Sequence, residues 1–218
     1  SLPLLAWLAV AKLPRQAPGQ GGPRASTLSA LDLLRHRPLQ ALLLVNLALS
    51  SCWDAHSFAV PVLGHARGMS ASAIGLVLGA FAAAATVVRL LISRWAERLD
   101  ERLALQSAMA LASLVCAVYV LLPGLGGMVA GSLALGLALG SVQPMVLSML
   151  HQVTPPDRQG QALGVRMLAT NAATVVMPLL FGFLAAATVA AAPMWLMGLL
   201  VLLAQAAAWR IRPAQGPS

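Results

Sequence analysis

Six apolar stretches, each of about 20 residues, occupy 39–63, 71–93, 103–122, 128–150, 162–187 and 189–209 of this chain. A helix rising 1.5 Å per residue needs about that length to cross the hydrocarbon core of a bilayer. Only 9% of the residues are charged, whereas a soluble domain carries about 25% because its surface faces water. The outer surface must therefore be apolar, and lipid is the solvent that accepts it. The fold class this predicts is all-α: a polytopic membrane protein with six transmembrane helices, spans one to six. Its first partner is the lipid bilayer, and it is expected in a cell membrane, the bacterial inner membrane.

The net charge of +8 raises nucleic acid as a partner. Nucleic-acid binding gathers Lys and Arg on one polar face. Here they fall in short clusters between apolar runs, so no nucleic acid is expected. Both cysteines, Cys52 and Cys116, sit inside apolar runs without CxxC or paired-histidine spacing. They read as small buried hydrophobes, with no metal, cofactor or disulfide indicated.

The breaks between spans are chemically explicit. GHARG at 64–68 separates the first two, PGLGG at 123–127 the third and fourth, and PPDR at 155–158 the fourth and fifth. Orientation follows from the basic residues. Lys12, Arg15, Arg24, Arg35 and Arg37 precede span one. Arg89, Arg94, Arg98 and Arg102 surround the loop after span two. Arg158 and Arg166 flank the loop after span four, and Arg210 and Arg212 form the tail at 210–218. Arg67 alone lies on the other side. Both ends of the chain are thus expected in the cytoplasm. Residues 1–10 read as the truncated end of a preceding transmembrane helix. Residues 11–38 read as a cytoplasmic linker, rich in Pro and Gly at first, then with Leu28, Leu31 and Leu34 on one face of a short surface helix.

Span two aligns on span five at a constant offset, with Gly75 on Gly164, Ala80 on Ala169, Ala83 on Ala172, Val87 on Val176 and Leu90 on Leu179. These are the middle helices of two three-helix groups that cross in opposite directions. Two inverted repeats of this kind are usual in secondary transporters. Gly75/Gly79, Gly127/Gly131 and Gly136/Gly140 have the small-xxx-small spacing that lets membrane helices approach closely.

The loop at 93–105, SRWAERLDERLAL, resembles the G-x-L-A-D-R-x-G-R-K-x-x-L loop of the major facilitator superfamily. Ala96, Arg98, Arg102 and Leu105 fit; Glu97 replaces the Asp, and Ser93 and Asp100 replace the glycines. The segment PDRQGQALG at 156–164 is similar to that family's loop between its tenth and eleventh helices. The resemblance implies the C-terminal six-helix half of a transporter, with a missing N-terminal six-helix half as partner and a small-molecule substrate. It also implies a cytoplasmic gate. Glu97, Arg98 and Arg102 would latch it, Arg158 and Arg166 bracket the neighbouring loop, and Arg89 is similar to the family's structural arginine at that gate, where snorkelling toward the interface would hold it.

One acid lies well inside a span. Asp54 costs roughly 2.5–3.5 kcal/mol at helix centre on insertion scales, so its presence asks for a reason. At 100° per residue Asn46, Ser50, Asp54 and Ser57 share one helical face, the mark of a wet cavity or a polar neighbour, while His56 points to the opposite side. Asp54 is expected to carry a proton or bind a cation, with Asn46, Ser50, His56, Gln143 and Asn171 as further cavity residues; the plainer expectation for His56 is the interface beside Trp53. Secondary active transport of a small solute by alternating access, proton-driven through Asp54, is the function expected. A non-transporting sensor or assembly component on the same fold is the alternative. An intramembrane enzyme is disfavoured: HExxH is absent, and Ser132, Ser141 and Ser148 have no histidine in spans four and six.

Overall fold

The computed structural model describes residues 35–95 and 100–208. The expected helix end at 1–10, most of the linker and the tail at 210–218 lie outside the described residues. Those described fold into six α-helices: α1 (Arg37–Ala66), α2 (Ala71–Trp95), α3 (Glu101–Val118, closed by a 3-10 turn at Tyr119–Leu121), α4 (Gly124–Val153), α5 (Gln159–Ala187, after a 3-10 turn at Pro156–Arg158) and α6 (Ala192–Ala208). Each expected span is helical. Those of α2, α3, α4 and α5 are long and apolar enough to cross a membrane. The 30-residue α1 has the length, but Asn46, Ser50, Ser51, Asp54 and His56 dilute its apolar character, and α6 is apolar but 17 residues long.

Local chemistry fixes the boundaries. Pro38 opens α1, where its missing N–H costs nothing. Ser70 Oγ accepts from Ala73 N at 3.2 Å before α2. Asp100, which stands where the loop motif has a glycine, caps α3 by accepting from Arg102 N and Leu103 N at 3.0 and 3.1 Å. Gly68 and Gly124 hold φ of +69° and +58° at two of the turns, a conformation open chiefly to glycine. Arg67 donates to the carbonyls of Val120 and Leu122, tying the α1–α2 turn to the end of α3.

The helices pack in matched pairs. α1 lies against α5 and α6 as α4 lies against α2 and α3, while α1–α4 and α3–α6 meet across the centre. Exchanging α1, α2, α3 for α4, α5, α6 maps this pattern onto itself, as two three-helix repeats require. The core is Leu, Val, Ala and Met from these contacts, with Cys52 and Cys116 buried as free thiols, sulfurs 3.3 Å apart, between α1 and α3. Outward faces stay apolar, Leu179 and Phe183 of α5 being 72% and 77% exposed, which suits lipid or another bundle rather than water.

The glycine pairs separate by function. A methyl on Gly136 would meet the Phe81 carbonyl oxygen at 2.4 Å, and one on Gly140 would meet Ala85 Cα and Val88 Cγ1 at 2.6 Å. Gly131 faces Tyr119 and Leu122, and Gly127 abuts Leu122 and Pro123. Gly75 and Gly79 meet nothing within 4 Å among the described residues, so the close-packing expectation is corrected for that pair. Replacing Gly140 with Ala is expected to force α2 from α4 and cost about 1–3 kcal/mol, while Gly75→Ala is neutral or better. Thermal unfolding in detergent measures both.

Candidate functional site

A cleft of about 680 Å³ opens between α1, α2, α4 and α5. Its walls are largely apolar: Leu49 and Trp53 of α1, Ile92 of α2, Leu139 and Val142 of α4. The polar lining is Ser50 and Asp54, Arg89 and Ser93, Gln143, and Thr170 and Thr174. Ser50 and Asp54 come from the polar stripe read on span one. Asp54 Oδ2 and Ser50 Oγ are buried without a hydrogen-bond partner among the described residues. In a low-dielectric interior such groups call for a ligand, a proton or water.

Arg89 is exposed on the lining of the cleft. Helical side chains tilt toward the N-terminus of their helix, which carries Arg89 away from the α2–α3 loop. Its Nε donates to the Gly140 carbonyl of α4 at 3.4 Å, and its guanidinium lies 5.5 Å from the centre of the Trp53 ring. The acceptor has a local cause. Pro144 has no N–H, so the carbonyl four residues earlier, that of Gly140, has no helical donor. Gly140 stands roughly 20 Å along α4 from its end at Val153, at 1.5 Å per residue. Arg89 thus lines the cleft beside Trp53, Ile92 and Ser93.

Arg166 also makes contacts inside the bundle. It donates to Gln143 of α4, and its Nε to Asn46 Oδ1 of α1 at 3.1 Å; Asn46 Nδ2 donates to Thr170 Oγ1 at 3.0 Å. This cluster lies about 10–15 Å in from the helix ends, beside the cleft rather than on the loop. Arg166, Thr170 and Thr174 recur every four residues along α5. That polar stripe was visible in the sequence and marks the cleft-facing side of the helix.

Of the remaining expected residues, His56 is fully buried but outside the cleft. It faces away from Asp54, as the helical angle requires, and not toward the membrane interface: Nε2 lies 2.9 Å from Ser132 Oγ of α4, which is 2.7 Å from the Tyr119 hydroxyl, and its ring stacks on Phe81 at 4.3 Å. Nδ1 of His56 is buried without a partner among the described residues. Asn171 is exposed on α5 outside the cleft. Ser57 bonds its own helix at Trp53 O. Arg158 donates to Gln161 at 3.1 Å and lines a second hollow with His36 and His151. Arg102 lies in the first turn of α3. Glu97 and Arg98 fall outside the described residues. Sequence reasoning passed over Glu101, which accepts from Ser148 and from Gln152, the latter at 2.9 Å, joining the start of α3 to the end of α4.

Among the described residues, an all-helical bundle with four helices long and apolar enough to cross a membrane, arranged as two repeats around a cleft, defines a multi-pass membrane protein. A search of curated proteins found no match. The family profile of the Major Facilitator Superfamily matches residues 2–127 and 42–218, and the chain belongs to that family of membrane transporters.

Ser132 is the hinge of the buried polar contacts, serving both His56 and Tyr119. Ser132→Ala is expected to destabilise by about 1–3 kcal/mol through the groups it strands. A double-mutant cycle of His56→Leu with Ser132→Ala, followed by thermal unfolding, should show strong non-additivity.

Proposed function

We propose that this chain acts as the C-terminal half of a secondary active transporter that moves a small solute by alternating access, with Asp54 carrying the coupling proton. The observation behind this reading is a carboxylate, one oxygen buried and unpartnered, in an open cleft among membrane helices. An intramembrane acid without a permanent counter-ion has two inexpensive states, protonated or ligand-bound, and alternation between them couples a proton to a cargo. The charged groups around it are Arg89 across the cleft and Arg166 behind Gln143; His56 is turned away toward Ser132. A second helical bundle would close the open side of the cleft and cover the exposed apolar faces of α2 and α5. The basic loops orient both ends toward the cytoplasm.

Asp54→Asn should reduce proton-gradient-driven transport in proteoliposomes to background while leaving downhill exchange of the same solute measurable. Driven transport with unchanged pH dependence in that variant would remove Asp54 from the coupling.

A further inference from the structure

The cleft holds two ionisable side chains of opposite sign that do not pair with each other. Arg89 is fixed by Nε on the Gly140 carbonyl and by its stacking over Trp53. Its terminal Nη1 and Nη2 groups make no hydrogen bond among the described residues. A guanidinium held by Nε and by its face presents its two remaining nitrogens as a fork, the geometry that takes both oxygens of a carboxylate. Leu49, Ile92, Leu139 and Val142 supply apolar wall around it.

We infer that Arg89 is the substrate-binding residue of this cleft and that the cargo is an organic monoanion: a carboxylate on an apolar body. The inference rests on the transport reading above and names its substrate class. Asp54 supplies the link to the proton. A carboxylate on Arg89 shares the cleft with the Asp54 carboxyl, and two negative charges in a low-dielectric space repel. Protonating Asp54 removes that repulsion, so anion and proton bind together more readily than either alone, the linkage a symporter needs. Arg166 is committed to Gln143 and Asn46 and adds positive potential without offering its own fork.

The test uses the complete protein, purified in neutral detergent with zwitterionic lipid. Thermal-shift titrations compare short aliphatic and aryl monocarboxylates, each paired with its own primary amide and amine. Carboxylates are expected to stabilise at concentrations at least about tenfold lower than their amides, the factor a lost charged hydrogen bond implies. Arg89→Gln should equalise acid and amide, and Arg89→Lys, which keeps the charge without the fork, should narrow the gap. Asp54→Asn should keep the preference for acid and abolish its strengthening at low pH. Amides binding as well as acids, amines binding best, an unchanged preference in either Arg89 variant, or stabilisation by phosphatidylglycerol alone would each overturn the inference. Proton-driven transport is read separately in proteoliposomes: if it survives while acids and amides bind alike, only the anion assignment falls.

Discussion

In hydrocarbon no water is present to satisfy a backbone carbonyl, so a helix that breaks its own hydrogen-bond ladder must find another donor. This bundle does so at one consequential place. Pro144 leaves the Gly140 carbonyl without its helical N–H, and Arg89 of α2 supplies one. Gly140 serves twice, since its missing side chain also lets α2 approach until Ala85 Cα lies 2.6 Å from where a β-carbon would be. Backbone chemistry on α4 therefore both draws the neighbouring helix in and positions the cation that faces the cleft. A proline and a glycine four residues apart, and an arginine 51 residues away in the chain, act as one device.

The polar groups of the interior divide into two kinds. Ser132, Tyr119 and His56 Nε2 bond one another across α1, α3 and α4, and Asn46, Gln143, Thr170 and Arg166 bond across α1, α4 and α5. These sets hold helices in register, because parting them would strand polar atoms in a low-dielectric medium. Ser50 Oγ and Asp54 Oδ2 have no partner among the described residues, and of the buried atoms in that condition they are the two that belong to residues lining the cleft; the others, His56 Nδ1 among them, lie elsewhere.

Much of this is legible in the sequence alone, because lipid imposes a simple grammar. Helix position followed from apolar length, and the pairing of Ser50 with Asp54 and the opposed direction of His56 followed from 100° per residue. Side-chain reach was harder to read. Arg89 and Arg166 stand near loops rich in arginine, and the family resemblance implies a gate role for both; their partners, the orphaned Gly140 carbonyl for Arg89 and Gln143 and Asn46 for Arg166, are not announced by any local pattern. The Gly75/Gly79 pair shows the same limit, since spacing names a face that is able to pack closely but not whether a neighbour occupies it. The contact between Glu101 and Gln152 joins residues distant in the chain, and no local pattern announces it.

The matched helix pairs have a mechanical corollary. Since α2 is pressed on α4 and α1 on α5, the cleft is bounded by two stiff leaves, one from each pair. Widening or narrowing it requires little deformation inside a leaf and much sliding between them. Side-chain contacts cross that seam: Arg166 on Gln143 and Arg89 over Trp53 beside the cleft, and His56 on Ser132 and Phe81 in the core. Arg89, Trp53 and Gln143 all line the cleft, so an occupant would meet the same side chains that tie one leaf to the other.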